Sequence, residues 1–166
     1  PAQPFVPQTT VINGGPYNSP TLWQDLGAVD PMVAVPASES LFNMIYSGQP
    51  SQINDMIADR SQILYGLCSQ HPPVILNSLN ITFLAAHGPP HAQKSLADVP
   101  NLLFVVCKLL ASNGTFAVLE GEIQTAAARA LSQIAFGSPE IASSVVHEKG
   151  LLPAAVAVLQ RATRGQ

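Results

Sequence analysis

Proline placement constrains this chain more than any other feature. A proline fixes φ and has no amide to donate, so a regular helix starts at one or stops short of it. Of the fifteen prolines, seven stand at positions 1, 4, 7, 16, 20, 31 and 36, with Gly14-Gly15-Pro16 among them. That spacing predicts no long helix over residues 1–36. Between the prolines lie Phe5, Val6, Val11, Ile12, Tyr17, Leu22, Trp23 and Leu26. A flexible linker is built from Ser, Gly and polar residues and lacks such side chains. The stretch 1–36 therefore reads as an extended Pro/Gly-rich arm pinned by packing, on its own domain or on another chain, with Phe5, Val6, Tyr17 and Trp23 as contact residues. One helical turn is predicted inside it, Thr21–Leu26, with Ser19 as cap and Pro20 at the first position.

From Ala37 the apolar residues recur at helical spacing. Helices are predicted over Ser38–Ser47, Gln52–Gln70, Val74–Ala86, Asp98–Ala111 (Pro100 in its first turn) and Glu122–Phe136, then from Ser138 through His147, and from Leu151 through Leu159. His71-Pro72-Pro73, Gly88-Pro89-Pro90, Ser112-Asn113-Gly114, Gly137 and Gly150 divide them. Residues 37–166 are thus expected to form one all-α domain, a size that carries one proper core. In Glu122–Phe136 the inner face is rich in alanine, which lets helix axes approach closely where helices stack in layers.

Charge is scarce. Charged residues make up 10% of the chain, against roughly 25% in an ordinary soluble domain. A surface so poor in Lys, Glu, Arg and Asp is expected to be hidden against neighbouring protein subunits. Residues 1–59 hold Asp25, Asp30, Glu39, Asp55 and Asp59 and no Lys or Arg, and the seven basic residues from Arg60 onward are scattered. No cluster forms of the kind that releases counterions from a phosphate backbone, so nucleic acid is not an expected partner. No apolar run reaches the roughly 18–20 residues of a membrane span. The chain opens on Pro1 and not on Met, which reads as a trimmed or partial chain; the compartment is not readable from it, with an intracellular location favoured and a mitochondrion as one option.

The segment Ala127-Ala128-Arg129-Ala130-Leu131-Ser132-Gln133-Ile134-Ala135, followed by Gly137-Ser138-Pro139-Glu140, Val145-Val146-His147-Glu148-Lys149-Gly150 and Leu151-Leu152-Pro153, resembles an armadillo repeat. Asp98-Val99-Pro100-Asn101-Leu102-Leu103 looks like the leucine-rich helix of the repeat before it. The resemblance implies an all-α fold, an armadillo-like right-handed superhelix of stacked helices with the extended arm in front, and a role in holding other proteins. The helix start near Pro36 lies 64 residues before Pro100, and Pro100 lies 53 before Pro153. The family's repeat is about 40 residues, so insertions, or another type of helical repeat, are expected. The regularly placed Trp and Asn by which the family's nuclear-import receptors grip basic peptides are missing, and that activity does not carry over.

No catalytic constellation stands out. Catalysis needs polar groups within hydrogen-bond reach of one another, and His71, His87 and His91 sit beside prolines or glycine in apparent loops. His147, at a helix C-terminus, reads as a cap. Cys68 and Cys107 lie in apolar helical runs and read as buried thiols, with no CxxC or nearby His for zinc. The sequons Asn80-Ile81-Thr82 and Asn113-Gly114-Thr115 read as chance occurrences. Asp55 and Asp59 read as a solvated acidic face. No cofactor or metal is expected. The leading expectation is a non-catalytic structural subunit of a larger assembly. The rival is a reversible peptide-binding adaptor using the polar face of Glu122–Phe136, whose candidates are Gln124, Arg129 and Gln133, with Thr125 and Ser132 beside them.

Overall fold

The computed structural model describes residues 20–49, 53, 57 and 59–164. Among them there is no strand, and the chain is all-α. The helices are α1 Pro20–Gln24, α2 Pro31–Ser47, α3 Ile63–Leu67, α4 Pro72–Ala85, α5 Pro90–Ala97, α6 Leu102–Leu110, α7 Glu120–Ala135, α8 Pro139–Val146 and α9 Leu151–Arg164. Short 3₁₀ turns lie at Asp25–Gly27, Arg60–Gln62 and Ala117–Leu119.

Prolines open these helices more than they break them. α2, α4, α5 and α8 each have proline in the first or second position, where no amide partner is needed. Asp30 caps α2 by accepting from the Met32 amide, and Ser138 caps α8 by accepting from the Ile141 amide. α6 starts from Asn101 in the left-handed region, φ 67°, a conformation asparagine tolerates better than most residues.

The arm expected to run to residue 36 holds helix α1 from Pro20 and helix α2 from Pro31, the latter capped by Asp30 rather than by Ser38. Pro36 lies inside α2, against the usual cost of about 3 kcal/mol. Burial outweighs it: Leu41 and Ile45 are fully buried on the inner face with Ala34 and Ala37, and each large side chain is worth about 1.5–3 kcal/mol. The expected single helix over Gln52–Gln70 is, in its described part, a 3₁₀ turn capped by Asp59 and the short α3. The segment after Gly88-Pro89, expected as a loop, is helix α5, and His91 lies in its first turn.

α2, α4 and α7 lie side by side in one row, α4 packing on both neighbours. α3 packs on α4, and α6 on α7; α5 and α8 pack on α7 and on each other, and α9 packs on α6. α4, α5 and α6 start at 72, 90 and 102, and α7, α8 and α9 at 120, 139 and 151. Each helix of the second trio lies 48 or 49 positions after its counterpart and packs directly on it. One hydrophobic core runs through the stack, from Trp23 and Leu26 at the first helices to Ile141 and Ala154 at the last. Glycine permits two of the closest approaches. A Cβ on Gly66 would lie 1.9 Å from Ser78 Oγ, and one on Gly150 would lie 3.1 Å from Cys107 Cβ.

Candidate functional site

The row α2–α4–α7 carries a groove on its exposed side. One hollow of about 340 Å³ is lined by Leu76 and Asn80 of α4 and by Glu122, Thr125, Ala126 and Arg129 of α7. A second, about 220 Å³, is lined by Phe42 and Tyr46 of α2, Asn80, Phe83 and Leu84 of α4, and Arg129. Asn80 and Arg129 border both, so the two hollows adjoin across one amide and one guanidinium.

Helical spacing places these groups. Phe42 and Tyr46 are one turn apart, and their rings stack at 5.6 Å between centroids. Asn80 and Phe83 are likewise neighbours on one face of α4. Across the groove, the Arg129 guanidinium lies 4.3 Å from the Phe83 ring centroid, a cation–π contact that orients it without neutralising it. His87 meets Phe83 edge-on at 4.3 Å between centroids and bonds the Phe83 carbonyl through Nδ1 at 3.0 Å. The groove thus offers aromatic faces, one carboxamide and one cation. Its titratable side chains are Tyr46, Glu122 and Arg129. Among the described residues no group of three His, Cys, Asp or Glu side chains is placed to hold a metal ion.

Among the described residues expected at a partner-binding face, Arg129 and, beside it on the same helix, Thr125 line this groove. Gln124 is turned to internal work, donating to the Ser112 carbonyl at 2.6 Å. Gln133 is half-buried and reaches the Ala86 carbonyl at 3.5 Å. Trp23, expected as a contact residue of an arm packed on its own domain or on another chain, is fully buried in the chain's own core. Phe5, Val6 and Tyr17 lie outside the described residues, as does Asp55. Asn80, Phe42, Tyr46 and Phe83 were not singled out as a site, because only the pairing of α2 with α4 and of α4 with α7 brings them together.

Other expectations hold in part. Cys107 is buried, but Cys68 is exposed, and both thiols are free. Burial, with Glu148 nearby, pushes the Cys107 thiol up to about 11. His71 fastens the start of the fold: its Nε2 donates to the Val29 carbonyl at 2.9 Å and approaches that of Ala28 at 3.2 Å. His147 is the C-cap of α8, and its Nδ1 bonds the Ser143 carbonyl at 2.7 Å.

A second feature lies at α9. Leu152, Val156 and Leu159 form one stripe, 72%, 43% and 65% exposed. The residues 49 positions earlier in α6 are Leu103, Cys107 and Leu110, all buried in a helix that carries α7 and α9. Among the described residues no single helix is long and apolar enough to cross a membrane. No protein-family model matches the chain, and no curated protein or solved structure matches it at a significant level.

Proposed function

We propose that the chain is an armadillo-like stack of helices that works as a non-catalytic scaffold, holding other protein subunits in a larger assembly. The observation that carries this reading is the α9 stripe. A helix in the second trio repeats the apolar pattern of its counterpart, yet leaves uncovered the three side chains that the counterpart buries. Large apolar residues arranged as a contiguous stripe mark an interaction surface rather than ordinary exposure. The scarcity of charge, 10% of the chain, points the same way. The 48–49 residue offset supports a repeat of three helices, longer than the family's usual unit.

The test is native electrophoresis of a gentle extract from the natural source, with the chain detected by antibody. A scaffold subunit migrates at several times its own mass of 17.5 kDa. A chain that runs as a free monomer under conditions preserving known assemblies overturns the reading.

A second reading, a reversible peptide-binding adaptor, is favoured by the groove alone. Asn80 and Arg129 flanked by Phe42, Tyr46 and Phe83 suit an extended polypeptide, whose backbone meets the amide and whose side chains meet the rings. On this reading Asn80→Ala and Arg129→Ala release a partner while Val156→Asp does not; on the scaffold reading the order is reversed.

A further inference from the structure

We infer that the chain's own segment Pro1-Ala2-Gln3-Pro4-Phe5-Val6-Pro7 fills the groove of the row α2–α4–α7, crossing it as a polyproline II strand. The inference rests on the groove of the adaptor reading and names its occupant. The segment lies outside the described residues, so its fit is argued from its sequence and from the groove's walls.

The spacing matches. Prolines at 1, 4 and 7 recur every third residue. A polyproline II strand has three residues per turn and rises about 3.1 Å per residue, which brings them to one edge about every 9 Å. In the row, α4 stands between α2 and α7, and packed helix axes lie about 8–10 Å apart. One hollow is walled by α2 and α4 and the next by α4 and α7. A strand crossing the helices therefore sets successive prolines at successive hollows.

The polar groups are complementary. Three of the seven residues are proline and lack an amide, while all seven carry a carbonyl, so the strand is rich in acceptors. Polyproline II makes no internal hydrogen bonds, which leaves those carbonyls in need of donors. The groove supplies them. The Asn80 carboxamide and the Arg129 guanidinium border both hollows, and neither makes a hydrogen bond among the described residues. Tyr46, 68% exposed and stacked on Phe42, adds an aromatic face of the kind that proline-rich strands dock against.

Charge and reach agree with this occupant. The groove holds Glu122 and Arg129, so an acidic strand is repelled at one end and a basic strand at the other. Residues 1–19 carry no charged side chain. Helix α1, where the described chain resumes, packs on α2, one wall of the groove. Residues 8–19 span up to about 40 Å when extended, and three helices side by side measure about 30–36 Å. A strand tethered this closely acts at roughly millimolar effective concentration. A partner that uses the groove then has to displace the chain's own arm.

Fluorescence anisotropy of a labelled, acetylated peptide of residues 1–7 tests this, titrated with the full chain and with its Pro4→Gly/Pro7→Gly variant. Both substitutions lie outside the helices described, so the variant is expected to keep the parent's circular dichroism. The peptide is expected to bind the variant at least about tenfold more tightly than the parent, whose own segment competes. Asn80→Ala added to the variant weakens that binding about tenfold, and alanine there keeps the helix intact. A photo-crosslinking benzoylphenylalanine in place of Phe5 is expected to attach within the same chain to residues 42–46, 80–84 or 122–129. Equal affinity for parent and variant overturns the inference, as do crosslinks that form elsewhere or between chains. A peptide that binds neither chain, while Asn80→Ala still releases a partner in extracts, overturns this occupant and leaves the adaptor reading standing.

Discussion

Gly66 in α3 faces Ser78 in α4 so closely that a Cβ on the glycine would sit 1.9 Å from the Ser78 hydroxyl oxygen and 2.9 Å from its Cβ. The Ser78 hydroxyl cannot swing away cheaply, since it donates to the Val74 carbonyl at 2.7 Å in a buried setting. This contact sets the distance between α3 and the central helix of the row.

Gly66→Ala forces α3 and α4 apart, and overpacking of this kind costs about 1–3 kcal/mol. Ser78→Ala, by contrast, removes a hydroxyl whose acceptor keeps its place in the helix, and is expected to change stability by about 0.5 kcal/mol or less. Urea unfolding followed by the emission of Trp23, the single tryptophan, measures both. Trp23 is fully buried, so its emission shifts to the red on unfolding. A smaller loss for Gly66→Ala than for Ser78→Ala contradicts the packing described.

Arg161 of α9 reaches back to the C-terminal end of α6, donating to the Ser112 carbonyl and to the Leu110 carbonyl. Carbonyls at a helix end lack internal partners, and a guanidinium satisfies them while favouring the negative end of the dipole. Arg161→Met keeps the apolar stem and removes these bonds, at a cost of about 1.5–3 kcal/mol. The amides of α9 are expected to exchange with deuterium faster, while those of α4 change less. Equal acceleration in both helices, or in neither, counts against this role.

The two thiols differ in reactivity. Cys68 is exposed. Cys107 is buried, with its thiol raised to about 11, which leaves roughly one molecule in a thousand as thiolate at pH 8. A chromogenic disulfide reagent at pH 8 is expected to titrate one thiol in the folded chain and two in denaturant. Rapid labelling of both under native conditions refutes the packing of α9 on α6 around Gly150.

Glu120 opens α7 and accepts from the amides of Gly114, at 2.5 Å, and Thr115, at 3.0 Å. The bond from Gly114 leads in holding its carboxyl below the ordinary glutamate value; Gly114 has φ 77°, a conformation in which glycine is at ease. A depressed folded pKa contributes stability that is present above the unfolded value, about 4.3, and is lost as pH falls through the folded one. Glu120→Gln is therefore expected to lower the melting temperature slightly at pH 7 and to match the parent near pH 3. A deficit that persists unchanged at pH 3 rules out the charged form as its source.

Much of the fold was legible along the chain. The prolines marked helix starts near 72 and at 139, because a missing amide and a fixed φ act within one residue's reach, whereas Pro90, read as part of a break, opens α5. The periods of Val74–Ala86 and Glu122–Phe136 located α4 and α7 within two residues at either end, since a helix that buries one face must space its apolar residues accordingly. What failed, failed through tertiary packing. Pro36 suggested an arm that stayed extended, but burial of Leu41 and Ile45 against α4 outweighs the broken bond. Trp23 read as a contact residue on either its own domain or another chain, and only the packing of the first helices placed it in its own core. Gln124 looked like a polar surface group, and only the approach of α7 to the end of α6 gave it the Ser112 carbonyl.

The sequence by itself determined that the chain is helical, where most of its helices begin, and that its surface is short of charge, because these follow from dihedral limits, periodicity and composition read locally. Only the tertiary structure decided which faces were covered. It brought Asn80 and Arg129 to one groove from helices 49 positions apart, and it buried Leu103 while leaving Leu152 in water. The physical reason is that burial belongs to pairs of helices: the same leucine, in the same local pattern, is core or surface according to whether a neighbour arrives.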